Sequence, residues 1–242
     1  LALTLFVIFP FQEESPEKKA FTPYITAYTS GMISNGSTIR VMLVEEMPDA
    51  RPKEAARKDL FNFSPGIKGE TYWIDSRTLE FRPEGRLPSG KKFEAEFALS
   101  KLMEVPRELK TFAFSFQTVE QSYKTKFKGL RAYDPQNLKY QQLLGELHTT
   151  DFARAEDVKE MLTVLQDGSK KTVSWQHGPK GKVHRFRADS VIRKEQEANV
   201  VLRWDGSAID AEEKKEEKIA LPALSEFEVL DLDVTHQPEQ SI

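Results

Sequence analysis

Four histidines, His148, His177, His184 and His236, are the side chains of this 242-residue chain best suited to metal or proton chemistry. None has a histidine partner at the i+4 spacing that places two imidazoles on one helix face, so no H-E-x-x-H site exists. His177 and His184 flank the turn GPKG and can meet across a hairpin. Two imidazoles with no carboxylate cluster nearby fall short of a zinc ligand set, and hairpin histidines are the simpler reading. Asp167-Gly168-Ser169 and Asp205-Gly206-Ser207 look like fragments of calcium or nucleophile motifs. Each reads more simply as a turn, where glycine supplies a positive φ. Asn35-Gly36-Ser37 and Asn62-Phe63-Ser64 match the N-glycosylation pattern, and again a turn is the plainer explanation for the first. There is no G-x-S-x-G elbow and no phosphate-cradling P-loop. No catalytic, cofactor-binding or metal residue is assigned, no cofactor is implied, and the chain is not read as an enzyme.

The elements that would position such residues are strands. In IRVML (39–43), Ile39, Val41 and Leu43 alternate with Arg40 and Met42. In KFEAEF (92–97), Phe93, Ala95 and Phe97 alternate with Lys92, Glu94 and Glu96, and FAFSFQ (112–117) sets Phe112, Phe114 and Phe116 on one face. Period-two runs with polar outer faces predict half-buried antiparallel sheets. NG at 35–36, PSG at 88–90 and DG at 205–206 punctuate them. The predicted class is all-β, with two tandem Ig-like antiparallel β-sandwich domains, each carrying a short helical stub.

The duplication rests on order. FRPEGRLPSGKKFEAEF (81–97) aligns without gaps on FRADSVIRKEQEANVVL (186–202), which sets Leu87 on Ile192, Ala95 on Val200 and Phe97 on Leu202. Leu60 precedes Trp73, and Leu162 precedes Trp175, by the same thirteen residues. PKEAARKDLF (52–61) and RAEDVKEML (154–162) stand as matching helical stubs, the second with Val158, Met161 and Leu162 at i, i+3, i+4. Trp residues at equivalent places in a repeat are expected in the core, not on a sugar-binding platform. The boundaries are 21–119 for the first module and 120–225 for the second, joined by the polar, basic EQSYKTKFKG. Residues 226–242 read as the start of a third module or a linker strand. AEEKKEEK (211–218) reads as a solvated charge run ahead of a closing strand IALPAL (219–224).

Composition narrows the classes. With 35 Lys and Arg against 38 Asp and Glu, the net charge is −3, so no overall basic field favours nucleic acid. The absence of Cys excludes disulfides and zinc–thiolate sites within the chain. LALTLFVIFPF (1–11) is too short for a bilayer span, which needs about 20 apolar residues. It matches the apolar core of a secretory signal, so residues 1–20 are a truncated signal-like segment and linker. No Leu-x-x-Cys lipobox accompanies it.

One block carries a family resemblance. LFNFSPGIKGETYWIDSRTLEFRPEGRLPSGKKFEAEF (60–97) contains Phe63-Ser64-Pro65, Gly69, Trp73, Thr78-Leu79, Phe81, Pro83, Leu87, Gly90, Phe93 and Phe97. This resembles the bacterial Ig-like modules of the α2-macroglobulin family, with F-S-P-x-x-x-G-x-x-x-W, T-L-x-F-x-P and L-x-x-G-x-x-Y/F-x-x-x-F. The opening run 24–47, the closing strand 108–118 and the segment 202–234 resemble the same family, though similar modules occur in surface-layer and other envelope proteins. The resemblance implies a protease trap whose bait region and Cys-x-Glu-Gln thioester lie downstream, so none of the family's reactive residues falls on these positions. It implies a non-catalytic scaffold in the periplasm or cell envelope. Partners would be proteases engaged through downstream regions and an envelope partner protein, with no nucleic acid and no stable membrane span. The alternative is an adhesive or surface-layer module that binds glycan or a partner protein.

Overall fold

The computed structural model describes residues 16–226. After a single helical turn, α1 (Pro16–Lys19), the chain is almost wholly strand. It divides into two compact units: one formed by the chain up to Leu87 together with Lys92–Gln117, the other by Pro88–Lys91 together with the chain from Thr118.

The first unit contains β1 (Ile25–Tyr28), β2 (Gly31–Ile33), β3 (Ile39–Leu43), β4 (Phe61–Ser64), β5 (Gly69–Trp73), β6 (Thr78–Pro83), β7 (Lys92–Phe97) and β8 (Phe112–Thr118). They form two four-stranded sheets in the orders β1-β3-β6-β5 and β2-β8-β7-β4. Apart from the edge strand β2, each neighbouring pair is antiparallel. This is the strand order of an immunoglobulin-type sandwich. The period-two runs do what their spacing predicts: Ile39, Val41, Leu43, Phe93, Ala95, Phe97, Phe112, Phe114 and Phe116 all turn into one core. Phenylalanines from both sheets meet there, with Phe63 and Phe81 4.7 Å apart between centroids. Gly69 is required by this packing. A Cβ there would lie 2.6 Å from Phe81 Cζ and closer still to the Arg82 carbonyl oxygen.

Strand β6 departs from simple alternation, because Thr78, Leu79, Glu80 and Phe81 are all buried. Leu79 and Phe81 face the core. On the other face, the Glu80 carboxylate accepts from Arg40 Nε at 2.6 Å, Arg82 Nε at 2.7 Å and the Thr38 hydroxyl at 3.0 Å. Burial works against ionisation of Glu80, but the Arg82 and Arg40 hydrogen bonds outweigh it and hold its pKa below the usual range. A central strand thus keeps a charge out of water by surrounding it with donors.

The second unit contains β9 (Tyr123–Asp134), β10 (Asn137–Thr149), α2 (Ala155–Met161), β11 (Leu162–Gln166), β12 (Ser169–Lys170), β13 (Val173–His177), β14 (Val183–Ile192), β15 (Ala198–Asp205) and β16 (Lys214–Leu221). Its sheets run β9-β10-β14-β13 and β12-β11-β15-β16. In chain order, β10, β11, β13, β14, β15 and β16 take the places of β3, β4, β5, β6, β7 and β8. The described chain is therefore all-β, and the two units order these equivalent strands alike, differing at one edge, where β2 pairs with β8 but β12 pairs with β11. Its core gathers Leu143, Leu147, Val164, Phe186, Val200, Leu202 and Trp204.

Three expectations need correction. The stub at 52–61 is not a helix: Lys53 has φ 71, and the stretch runs along β5, with Lys53 N donating to Trp73 O, Ala56 N to Thr71 O and an Ala55–Tyr72 bridge. Only the second module keeps a helical stub, α2, with Val158 and Met161 buried. The closing strand is not 219–224 preceded by the charge run 211–218; it begins within that run. Lys214–Leu221 is that strand, paired along its length with β15. The boundary expected at 119/120 lies slightly earlier, between Gln117 and Thr118, and most of EQSYKTKFKG already belongs to the second unit, where Tyr123 opens β9. The signal-like segment 1–11 and the third-module reading of 227–242 lie outside the described residues. No helix of the described residues is long and apolar enough to cross a membrane.

The connection Glu84–Lys91 passes from β6 in one sheet to β7 in the other, as a sandwich requires. Leu87 is buried at 2% exposure, and its N–H donates to Asn35 O at 2.9 Å, which closes the open end of the core. The expected counterpart, Ile192, is only half-buried. Ser190, at φ 59, and the register shift between Gln141 and Leu143 move the pattern along by one residue. Arg193 then takes the place of Leu87, its N–H donating to Lys139 O at 2.9 Å.

Candidate functional site

The two histidines that flank the 178–181 turn do meet. His177, at the end of β13, pairs with His184 on β14, and their Nδ1 atoms lie 2.8 Å apart. At that distance one Nδ1 carries the proton and the other accepts it, so the neutral pair is locked in complementary tautomers. His184 is fully buried, while His177 is half-buried and stacks on Trp175. Burial pushes both below the ordinary histidine range; Lys159 lowers His177 further against Glu156, and His177 does the same to His184. The bridging hydrogen bond occupies both Nδ1 atoms, and the two Nε2 atoms are buried without a hydrogen-bond partner. Among the described residues no group of three His, Cys, Asp or Glu side chains is placed to hold a metal ion. The pair is a buried polar link at the end of an apolar core.

The remaining motif fragments are structural. Asp167 and Gly168, at φ 50 and 77, form the two-residue turn of the β11–β12 hairpin. Asp205 caps the short helix Gly206–Ile209, accepting from Ser207 N at 3.0 Å, and pairs with Lys214 at 2.8 Å. The Lys214 and Ser207 hydrogen bonds hold its pKa down to about 2. Asn35 is buried in the loop beneath Leu87, and Asn62 bonds Glu96 on the neighbouring strand, so neither has the open-loop setting of a glycan acceptor. Trp73 and Trp204 are buried, and Trp175 packs on Phe186 and Trp204.

What sequence reasoning missed is the outer face of the β9-β10-β14-β13 sheet. A concavity of about 940 Å³ lies on it, lined by Lys128, Arg131, Arg185, Arg187, Gln142 and Gln176 among others. The register explains the grouping. Gln142 stands opposite Arg131, Leu144 opposite Arg187 and Glu146 opposite both Lys126 and Arg185, so these side chains share one face. Two carboxylates are interleaved. Glu146 pairs with Arg185 at 3.2 Å and His148 at 3.1 Å, and the His148 hydrogen bond is the main reason its pKa is lowered. Asp189 accepts from Tyr133 at 2.7 Å and Gln142 at 3.0 Å, with Arg187 3.2 Å away. With Lys124 and Lys126 on the same face, cations exceed carboxylates in a chain whose net charge is −3. The visible signals were the alternation Lys124, Lys126, Lys128 and Arg185, Arg187. Only strand pairing joins them.

No family model matches the chain, and no curated protein matches it. Among solved structures, an L,D-transpeptidase from Mycobacterium smegmatis overlaps 81% of this chain and 72% of its own, at 11% identity and a TM-score of 0.31. L,D-transpeptidase 3 from Mycobacterium tuberculosis overlaps 72% and 77%, at 9% identity and a TM-score of 0.29. Likeness at this level carries no inference about chemistry.

Proposed function

We propose that residues 16–226 are non-catalytic scaffold modules of an α2-macroglobulin-like protease inhibitor of the bacterial cell envelope. The observation that supports this most is where the motif of 60–97 sits. Phe63, Trp73, Leu79, Phe81, Leu87, Phe93 and Phe97 are all buried in one core. The residues that carry the resemblance therefore serve architecture, as a spacer module requires. A second unit follows in which the equivalent strands β10, β11, β13, β14, β15 and β16 are ordered as in the first.

The test is the protein encoded by the whole gene. A trap encloses its protease, so a saturated protease keeps cleaving a short peptide while losing activity on a large protein substrate. That split is the expected result. If both substrates are cleaved at the uninhibited rate, the macroglobulin reading fails.

A further inference from the structure

We infer that the outer face of the β9-β10-β14-β13 sheet binds an acidic polysaccharide bearing carboxylates among hydroxyls. The argument starts from charge. Lys124, Lys126, Lys128, Arg131, Arg185 and Arg187 fall on one sheet face or its β9 bulge. Only Glu146 and Asp189 stand among them, and the rest of the chain must be acidic to leave a net −3. A face so different in sign from its own chain attracts a polyanion.

The kind of polyanion follows from the other lining groups. Guanidinium forks such as Arg131 and Arg187 match carboxylates bidentately. They stand two strand spacings apart and two residues offset along the strand, about 12 Å in all, so one extended ligand can reach both. Gln142, Gln176 and Ser174 offer paired donors and acceptors between the cations, which suits hydroxyl groups. Single-stranded nucleic acid needs exposed aromatic platforms. Trp175 and Phe186 pack against Trp204 instead, and the half-exposed Tyr133, bonded to this face, is a single ring tied by its hydroxyl to Asp189. A protein partner needs a desolvated aromatic or apolar anchor; the apolar groups here, the half-buried Leu144 and Trp175 and the buried Phe186, lie low between charged side chains, and Tyr133 is held by its hydroxyl to Asp189. This inference is independent of the protease-trap reading.

The experiment titrates the 242-residue chain by calorimetry with polygalacturonate, neutral dextran, poly-L-glutamate and a single-stranded DNA oligonucleotide at low salt. Polygalacturonate should bind, dextran should not, and affinity should fall steeply as salt rises. R185Q/R187Q should weaken binding at least tenfold. K170Q/K218Q removes two charges from exposed lysines of the other sheet of the same unit and should change it less than twofold. K128Q/R131Q repeats the test on the other side of β10, so a folding defect in one pair leaves the other informative. The inference is overturned if polygalacturonate binds no better than dextran, or if the control variant loses as much as the groove variants. Equal or tighter binding of poly-L-glutamate or DNA also overturns it.

Discussion

The His177–His184 contact shows how a residue-scale feature that resembles chemistry acts on stability. Both imidazoles are neutral in the fold, and burial keeps their pKa values below the ordinary 6.5. In the unfolded chain they titrate near 6.5, so below that pH the unfolded state binds more protons than the folded one. Stability therefore falls as pH drops from about 6.5 toward the folded-state values. We expect the urea midpoint of the wild-type chain to be lower at pH 5.5 than at pH 7.5, and the H177Q/H184Q variant to lose most of that difference. An unchanged difference in the variant would move the effect to other groups. The spacing of the two histidines across a Gly-bounded turn made their meeting legible in the sequence. Their tautomeric lock was not, because it depends on how β13 and β14 seat their ends against the core.

At the element scale, local pattern and sheet context pull apart at two matching places. RAEDVKEML keeps its helix because Val158 and Met161 bury one face. PKEAARKDLF has helix-forming residues too, yet it lies along β5, where backbone hydrogen bonds to Thr71 and Trp73 are on offer. Propensity is a few tenths of a kcal/mol per residue, and sheet-edge pairing outweighs it. The turn needs Lys53 at φ 71, a conformation that costs a non-glycine residue about 1 kcal/mol. K53G should therefore leave stability unchanged or raise it by up to about 1 kcal/mol in urea denaturation. In a helix the same change would cost about 1 kcal/mol, so a loss of that size would restore the helical reading. Strand β16 makes the complementary point. Its charged residues hid a strand because it is a sheet edge, where lysine and glutamate alternate at no cost and discourage pairing with another chain. Basic β9 was hidden in the same way, and with it the groove.

Across the whole described chain, the repeat was legible because both modules keep buried apolar residues at the same strand positions: Phe81 and Phe186, Ala95 and Val200, Phe97 and Leu202. What a gapless alignment cannot register is a bulge, and one residue of slip at Ser190 reassigns the plug. In the first unit Leu87 fills the crossing by burial alone. In the second, Arg193 is buried at 8% exposure and donates to the carbonyl oxygens of Pro222, Ala223 and Glu226. One site is apolar and the other polar, and they should fail differently. L87A should cost about 2–5 kcal/mol, as a large-to-small core change does. I192A, at a half-buried side chain, should cost about 1 kcal/mol or less. R193A should cost about 3 kcal/mol or more, because it strands three carbonyls that a charged donor satisfies. Chemical denaturation of the three variants decides the assignment. If I192A proves as damaging as L87A while R193A is mild, the ungapped alignment is right and the one-residue slip is wrong.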